Sequence, residues 1–289
     1  MISRRAVLAG VAVAGAGLSV SARAEESDAK LEGALAELER RHGGRLGVAI
    51  LDTATGRLLE HRGDERFPMC STFKFLVAAL VLARVDRNDE SLDRRIVYAQ
   101  SDIVPYSPVT EKHIGGDGMA VGELCDAAVT LSDNTAANVL LDSFGGPAGL
   151  TAYMRSLGDP VTRLDRNEPT LNEATPGDPR DTTTPAAMVE IMRKTVLGAA
   201  LSPTSREQLA AWLVANKTGD KRLRAGLPKG WKVGDKTGSG GHNATNDIAV
   251  LWPPNRAPIL VAAYYVEARA TDDQRAAVLA DVGRIAARV

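Results

Sequence analysis

The chain has 289 residues, 44% hydrophobic and 25% charged, with a formal net charge of −1. This is the composition of a globular protein with enough chain for a substantial core, in one or two domains. Residues 1–24 carry Arg4, Arg5 and Arg23 and no acid, so residues 25–289 sit near −4, which argues against a nucleic-acid or anionic-membrane partner.

Residues 1–24 read as an export signal. Ser3-Arg4-Arg5 precedes an uncharged Ala/Val/Gly-rich run from Ala6 to Val20, and Ala22-Arg23-Ala24 supplies small residues for cleavage. The paired arginines and weakly apolar run favour twin-arginine export of a folded protein, with general secretion as the alternative. The run is too short to span a bilayer comfortably. The mature protein is therefore expected in the periplasm or outside the cell, with no membrane contact after cleavage.

Ala29 to Arg41 has helical apolar spacing (Leu31, Leu35, Leu38) and stops at Gly43-Gly44. Leu46 to Leu51 reads as a buried strand, Asp52 to Gly56 as a turn, and Arg57 to Arg62 as the hairpin partner. From Phe67 to about Asn216 helical segments alternate with polar loops: Ser71–Val85, Val121–Leu131, Thr135–Phe144, Leu150–Leu157 and Pro185–Leu197. Strands return at Trp231–Lys236, Asp247–Trp252 and Ile259–Glu267, and Asp272–Val289 closes the chain as a helix. The two ends thus build an α/β lobe (about 25–66 and 217–289) around an all-helical insertion (about 67–216). Asp159 to Pro185 is a long, polar, proline-rich loop inside a compact chain, and loops of that length are functional or disordered.

Four groups carry chemistry. In Ser71-Thr72-Phe73-Lys74, at a predicted helix start, Ser71 and Lys74 share a face. A serine beside an amine can act as a nucleophile, and helix N-terminal N–H groups suit an oxyanion. Taken alone, a helix cap and a solvated lysine would explain the pair better. Ser132-Asp133-Asn134 caps the helix from Thr135 and adds a hydroxyl that can relay a proton and an amide that can hold a carbonyl. Lys236-Thr237-Gly238 closes a predicted strand and, with Ser239-Gly240-Gly241, makes a cationic wall for a flat anionic ligand. In the long loop, Glu168 and Asn172 can together hold one water, as ester hydrolysis requires.

In this order and at these separations the four groups resemble the class A serine β-lactamases. The likeness extends over the mature chain, including Pro105-Tyr106-Ser107-Pro108-Val109-Thr110-Glu111-Lys112, Leu131 to Asn138 and Arg163 to Pro185. The resemblance implies a three-layer α/β fold: an antiparallel sheet flanked by helices, with the helical lobe inserted. It implies that Ser71 attacks the lactam carbonyl of penicillins and cephalosporins, with the Ser71 and Ser239 N–H groups as oxyanion hole. Ser132 would protonate the leaving nitrogen, Lys74 and Glu168 would share the base role, and Glu168 with Asn172 would activate the deacylating water. Asn134 and Tyr106 would contact the antibiotic side chain, and Lys236, Thr237, Gly238 and Ser239 would line the carboxylate site. No arginine follows the glycine turn, where the strand carries Thr245; Arg222 stands where some relatives place a substitute. A guanidinium binds a carboxylate through two N–H groups, so Arg222 joins the site.

The resemblance also implies that Arg166 and Asp181 pin the loop and that Glu168–Pro169 is cis. The cysteine partners of family disulfides are replaced by Ala78 and Gly240, so Cys70 and Cys125 are expected as free thiols. The histidines (His42, His61, His113, His242) show no metal spacing, so no metal or cofactor is expected. The expected partners are β-lactam antibiotics and β-lactamase inhibitors, met by a monomer. The competing readings are a penicillin-binding D,D-peptidase and a β-lactam-sensing domain, which would lack an effective deacylating glutamate.

Overall fold

A computed structural model describes residues 29–289, so the export signal lies outside the described residues. Helix α1 runs through residues 29–42 and leads into the hairpin β1 (Arg45–Asp52) and β2 (Arg57–His61). Far along the chain, β7 (Lys232–Ser239), β8 (Thr245–Trp252) and β9 (Ile259–Val266) complete one five-stranded sheet in the order β2-β1-β9-β8-β7. All four pairings are antiparallel.

Period-two alternation assigns each face its own core. Ile259, Val261, Ala263 and Tyr265 of β9 pack with Leu31, Leu35 and Leu38 of α1 and with Val278, Leu279, Val282 and Ile285 of α8 (Asp272–Ala286). Leu260, Ala262, Tyr264 and Val266 face the helical segments instead. The sheet is therefore covered on both sides, which is why its strands read as near-continuous apolar runs.

Between the two sheet segments lie β3 (Phe67–Pro68), α2 (Phe73–Asp86), β4 (Arg95–Ile96), β5 (Met119–Ala120), α3 (Val121–Thr130), α4 (Asn134–Asp142), α5 (Gly146–Ser156), β6 (Thr182–Thr183), α6 (Pro185–Met192) and α7 (Pro203–Val214). Helix α2 is buried from Phe73 through Ala83, as expected of a helix that is apolar all round and forms the centre of a lobe. The loop 159–184 holds only a 3₁₀ turn, Thr170–Glu173, and the strand β6.

Several boundaries differ from expectation. Ser71 lies in a 3₁₀ turn, Cys70–Thr72, just before α2. Strand β7 continues to Ser239, so Lys236, Thr237 and Gly238 lie within it, paired with Ile248, Asp247 and Asn246. Helix α5 starts at Gly146 because Pro147 is tolerated in a first turn, where its missing N–H is not needed. Helix α6 ends at Met192 and continues as a π-helical turn, Arg193–Leu197. Helix α7 was not anticipated at all.

Candidate active site

Three chain segments separated by many residues meet at Ser71. Immediately before it, β3 pairs with β6 (Phe67 opposite Thr183, Pro68 opposite Thr182), and Met69 N–H donates to Asp181 O at 2.9 Å. The C-terminal end of the long loop is thereby fastened beside Ser71. On the other side β7 passes so close that a Cβ on Gly238 would stand 2.8 Å from Met69 O and 3.3 Å from Ser71 N. Only glycine permits that approach, and it brings the Ser71 and Ser239 segments together.

Lys74 Nζ, fully buried, is 3.0 Å from Ser71 Oγ, 2.8 Å from Ser132 O, 2.5 Å from Asn134 Oδ1 and 3.0 Å from Glu168 Oε1. Ser71 Oγ–H also lies 3.3 Å from the same Glu168 oxygen. Burial pushes the Lys74 ammonium below its ordinary value, with Glu168 opposing the shift. Ser132, at a positive φ of 60°, turns its hydroxyl between the two lysines, 3.4 Å from Lys74 Nζ and 3.0 Å from Lys236 Nζ. Asp133 makes that turn possible: its carboxylate caps α4 at Ala136 N (2.9 Å) and accepts from Val109 N, Thr110 N and Thr110 Oγ1.

Glu168 is clamped by its backbone. Asn138 Nδ2 donates to Glu168 O and Asn138 Oδ1 accepts from Glu168 N, both at 2.9 Å. The following peptide, to Pro169, is cis. Arg166 ties the loop through Nε to Asp181 Oδ2 (2.6 Å) and through Nη1 to Glu173 (2.5 Å). Asn172 Nδ2 donates to Glu168 Oε2, and Asn172 Oδ1 is buried without a hydrogen-bond partner. The Glu168 carboxylate is thus held by an amide whose own oxygen has no hydrogen-bond partner.

At the edge of β7 are two cations without a carboxylate in contact among the described residues. Lys236 Nζ, fully buried, donates only to Ser132 Oγ and Thr237 O (2.9 Å); burial, and then the neighbouring Lys74 charge, push it well below its ordinary value. Arg222 donates to Gly238 O (2.8 Å), Asn246 O (2.6 Å) and Ser239 Oγ (2.8 Å), and burial lowers it too. Thr237 Oγ1 lies 2.5 Å from Thr218 Oγ1, which donates in turn to Asn216 Oδ1 at 2.8 Å. Buried cations lacking an anion are costly, and an incoming carboxylate relieves the cost.

Asn134 Nδ2 donates to Pro105 O at 2.8 Å, and Tyr106, 62% exposed at a φ of 65°, stands at the rim. All twelve residues singled out from the sequence therefore converge on one cleft. Asn138 and Thr218 belong there too and were missed. Asn138 follows Asn134 by one helical turn on α4, a spacing that could have drawn attention to it. Thr218 offered no signal. Among the described residues no cluster of His, Cys, Asp or Glu could hold a metal, and no helix is long and apolar enough to cross a membrane. Cys70 and Cys125 are buried free thiols.

A serine bonded to a buried amine, a carboxylate set beside it and unpaired cations at a strand edge are the apparatus of a serine hydrolase for anionic substrates. Comparison with known proteins agrees. The model of the β-lactamase enzyme family matches residues 30–289. The β-lactamase L2 of Stenotrophomonas maltophilia is 52% identical over 93% of this chain and 89% of its own length. The β-lactamase Toho-1 of Escherichia coli is 50% identical over 87% and 86% respectively. A solved ancestral class A β-lactamase is 69% identical, covers 89% of this chain and 99% of its own, and superposes with a TM-score of 0.88. The chain belongs to the β-lactamase enzyme family and is a class A serine β-lactamase.

Proposed function

We propose that the enzyme opens the ring of penicillins and cephalosporins through an ester on Ser71, and that Glu168 completes the cycle by hydrolysing it. In acylation Ser71 Oγ gives its proton to Lys74 or Glu168, both within reach, and bonds to the lactam carbonyl carbon. The Ser71 and Ser239 N–H groups take the oxyanion. The C–N bond then breaks, and the nitrogen receives the Ser132 proton, which either neighbouring lysine can restore. In deacylation Glu168 takes a proton from water as the water oxygen attacks the ester, and Ser71 Oγ leaves with a proton. The substrate carboxylate lies against Thr237, Ser239, Lys236 and Arg222, while Asn134 and Tyr106 meet the side chain.

The observation that carries deacylation is Asn172: its amide donates to Glu168 while its buried oxygen has no hydrogen-bond partner. A trapping peptidase or a sensor has no need of such a pair. Residues 1–24, with Arg4-Arg5 ahead of an apolar run, support export to the periplasm or medium by the twin-arginine route.

Glu168→Ala tests the reading. Mixed with a good penicillin, the variant should accumulate as a stable ester adduct by mass spectrometry after the wild type has cleared its own. Turnover of Glu168→Ala at a near wild-type rate would refute the role.

A further inference from the structure

Ser71 lies in a turn that the backbone does not favour. Cys70, immediately before it, holds a φ of 45°, in the left-handed region where a non-glycine residue is strained, and a residue keeps such a conformation only where its surroundings over-determine it. Met69 O closes the turn, accepting from Thr72 N at 3.2 Å and from Thr72 Oγ1 at 2.8 Å. The same carbonyl and the one before it also accept from the sheet: Asn246 Nδ2 donates to Pro68 O at 2.9 Å and to Met69 O at 3.2 Å. Asn246 is fully buried on β8, directly opposite Gly238 of β7. The two residues share a face of the sheet, so the side chain that Gly238 lacks leaves room for the turn, and the amide of Asn246 grips it. Both partners of that amide are carbonyl oxygens, so only its NH₂ end can face them. Asn246 Oδ1 is in consequence buried with no hydrogen-bond partner, a cost that an apolar side chain of similar size would not incur. Packing alone therefore does not account for an asparagine here.

We propose that Asn246 is a positioning residue for acylation: by holding the Pro68 and Met69 carbonyls to β8, it sets the separation of the Ser71 and Ser239 N–H groups. Those groups belong to segments far apart in the chain. Ser239 is the last residue of β7, which pairs with β8 residue by residue from Lys232 to Ser239. A side chain anchored on β8 opposite Gly238 therefore fixes the turn relative to Ser239, one residue further on. Arg222 locks the two strands at that level, since its Nη1 donates both to Gly238 O (2.8 Å) and to Asn246 O (2.6 Å). An oxyanion needs both of its donors about 3 Å away, and a misplacement of about 1 Å costs on the order of 100-fold in rate. The inference rests on the reading of the Ser71 and Ser239 N–H groups as the oxyanion hole. The Asn246 amide hydrogen-bonds none of Ser71, Lys74 or Glu168, so it acts on the reaction only through the backbone it holds.

Asn246→Ala removes both donors, and Asn246→Leu removes them while refilling the space; circular dichroism and Tm report whether each is folded. In both variants the acylation rate constant, measured by stopped flow with benzylpenicillin, should fall by about 10- to 100-fold, with the Kd of the preceding non-covalent complex nearly unchanged. The free acid and its methyl ester should lose equally, because the Asn246 carbonyl that Arg222 holds is still present. The spectroscopic arm is the infrared band of the ester carbonyl, ¹³C-labelled in the penicillin, on Glu168→Ala enzyme with and without Asn246→Ala. Hydrogen bonds to a carbonyl oxygen lower its stretching frequency, so the band should move up when Asn246 is truncated. An unchanged acylation rate, recovery of the rate in Asn246→Leu, or a loss confined to the free acid would overturn the proposal. A band that is low in Glu168→Ala and stays low in the double variant would overturn it while leaving the oxyanion hole standing. A band already at the position of a free ester in Glu168→Ala would refute the oxyanion hole, and the proposal with it. Should Glu168→Ala hold no ester, the role of Glu168 would fail while the acylation rates still decided the proposal.

Discussion

Replacing Arg222 with Ala removes a guanidinium that touches Gly238 O, Asn246 O and Ser239 Oγ and no carboxylate. Two consequences can be separated. The substrate loses one charge-assisted partner, worth roughly 1.5 to 3 kcal/mol, so kcat/KM should fall by about 10- to 150-fold at about 1.4 kcal/mol per factor of ten. The fold loses donors to two strand carbonyls, a cost of about 1 kcal/mol that appears as a modest drop in Tm. The assay is ring opening of benzylpenicillin and of its methyl ester, followed by absorbance, in wild type and Arg222→Ala. The free acid should suffer the full loss and the ester almost none, so the acid-to-ester ratio collapses. Arg222→Lys should restore only part of it, because an ammonium cannot hold the strand carbonyls and a carboxylate with the same fork geometry. If acid and ester fall together, Arg222 acts by shaping β7 rather than by meeting the carboxylate; if neither falls, Lys236 suffices alone.

Ser71→Ala should show no drug adduct by mass spectrometry and no turnover, because no neighbouring group replaces the nucleophile; an adduct on this variant would refute the assignment. Glu39 accepts from Arg62, Leu46 N and His61, and despite burial, which alone would raise it, these bonds bring its carboxyl from 4.5 to about 2. Its folded value is depressed, so its contribution is present above about pH 4.5 and lost as pH falls toward 2. Glu39→Gln should therefore lower Tm at neutral pH and flatten the acid limb of a Tm-against-pH curve; an unchanged limb would show that other carboxylates dominate. Burial, with help from the Glu168 charge, pushes the Cys70 thiol up to about 12 and raises Cys125 as well. Ellman's reagent should find no thiol in the native enzyme and both after unfolding; fewer in the unfolded chain would reveal a disulfide.

What could be read from the sequence was whatever is local. The sheet strands announced themselves as apolar runs because both faces are covered, and α2 did so because it is buried on every side. Helix α7 was missed since its buried residues, Leu209, Trp212 and Leu213, are set among Arg206, Glu207 and Gln208 without a clean stripe. Its start was nevertheless written in Ser202-Pro203, where the serine accepts from Ser205 N and the proline occupies the first turn. The candidate catalytic groups were legible because each lies in a short motif. The clamp was not: Asn138 meets Glu168 across 30 residues of chain, and its one local signal, the spacing of one helical turn from Asn134, names a shared helix face but not the partner. Thr218 was hidden because its partner on β7, Thr237, comes close only when the sheet forms.

The two lysines of the cleft show how environment divides roles between identical side chains. Both are fully buried, and burial pushes both ammonium groups down. Lys74 has Glu168 at 3.0 Å and the Ser71 hydroxyl at the same distance, so a proton lost to one neighbour can be regained from another. That suits a group that carries protons within the cycle. Lys236 has only neutral acceptors in contact and feels the Lys74 charge, so its ammonium form is the less comfortable of the two until an anion arrives. A substrate carboxylate beside Thr237 supplies that anion and restores the ammonium. Binding would thereby raise the proton affinity of Lys236, 3.0 Å from Ser132 Oγ, at the moment the substrate enters. On the proposed mechanism, the hydroxyl that protonates the leaving nitrogen then sits beside a cation that disfavours its taking up a second proton and favours its oxygen when the first is gone. On that mechanism, recognition of the carboxylate and readiness of the Ser132 relay would be one electrostatic event, carried by a single hydrogen bond between β7 and the turn before α4.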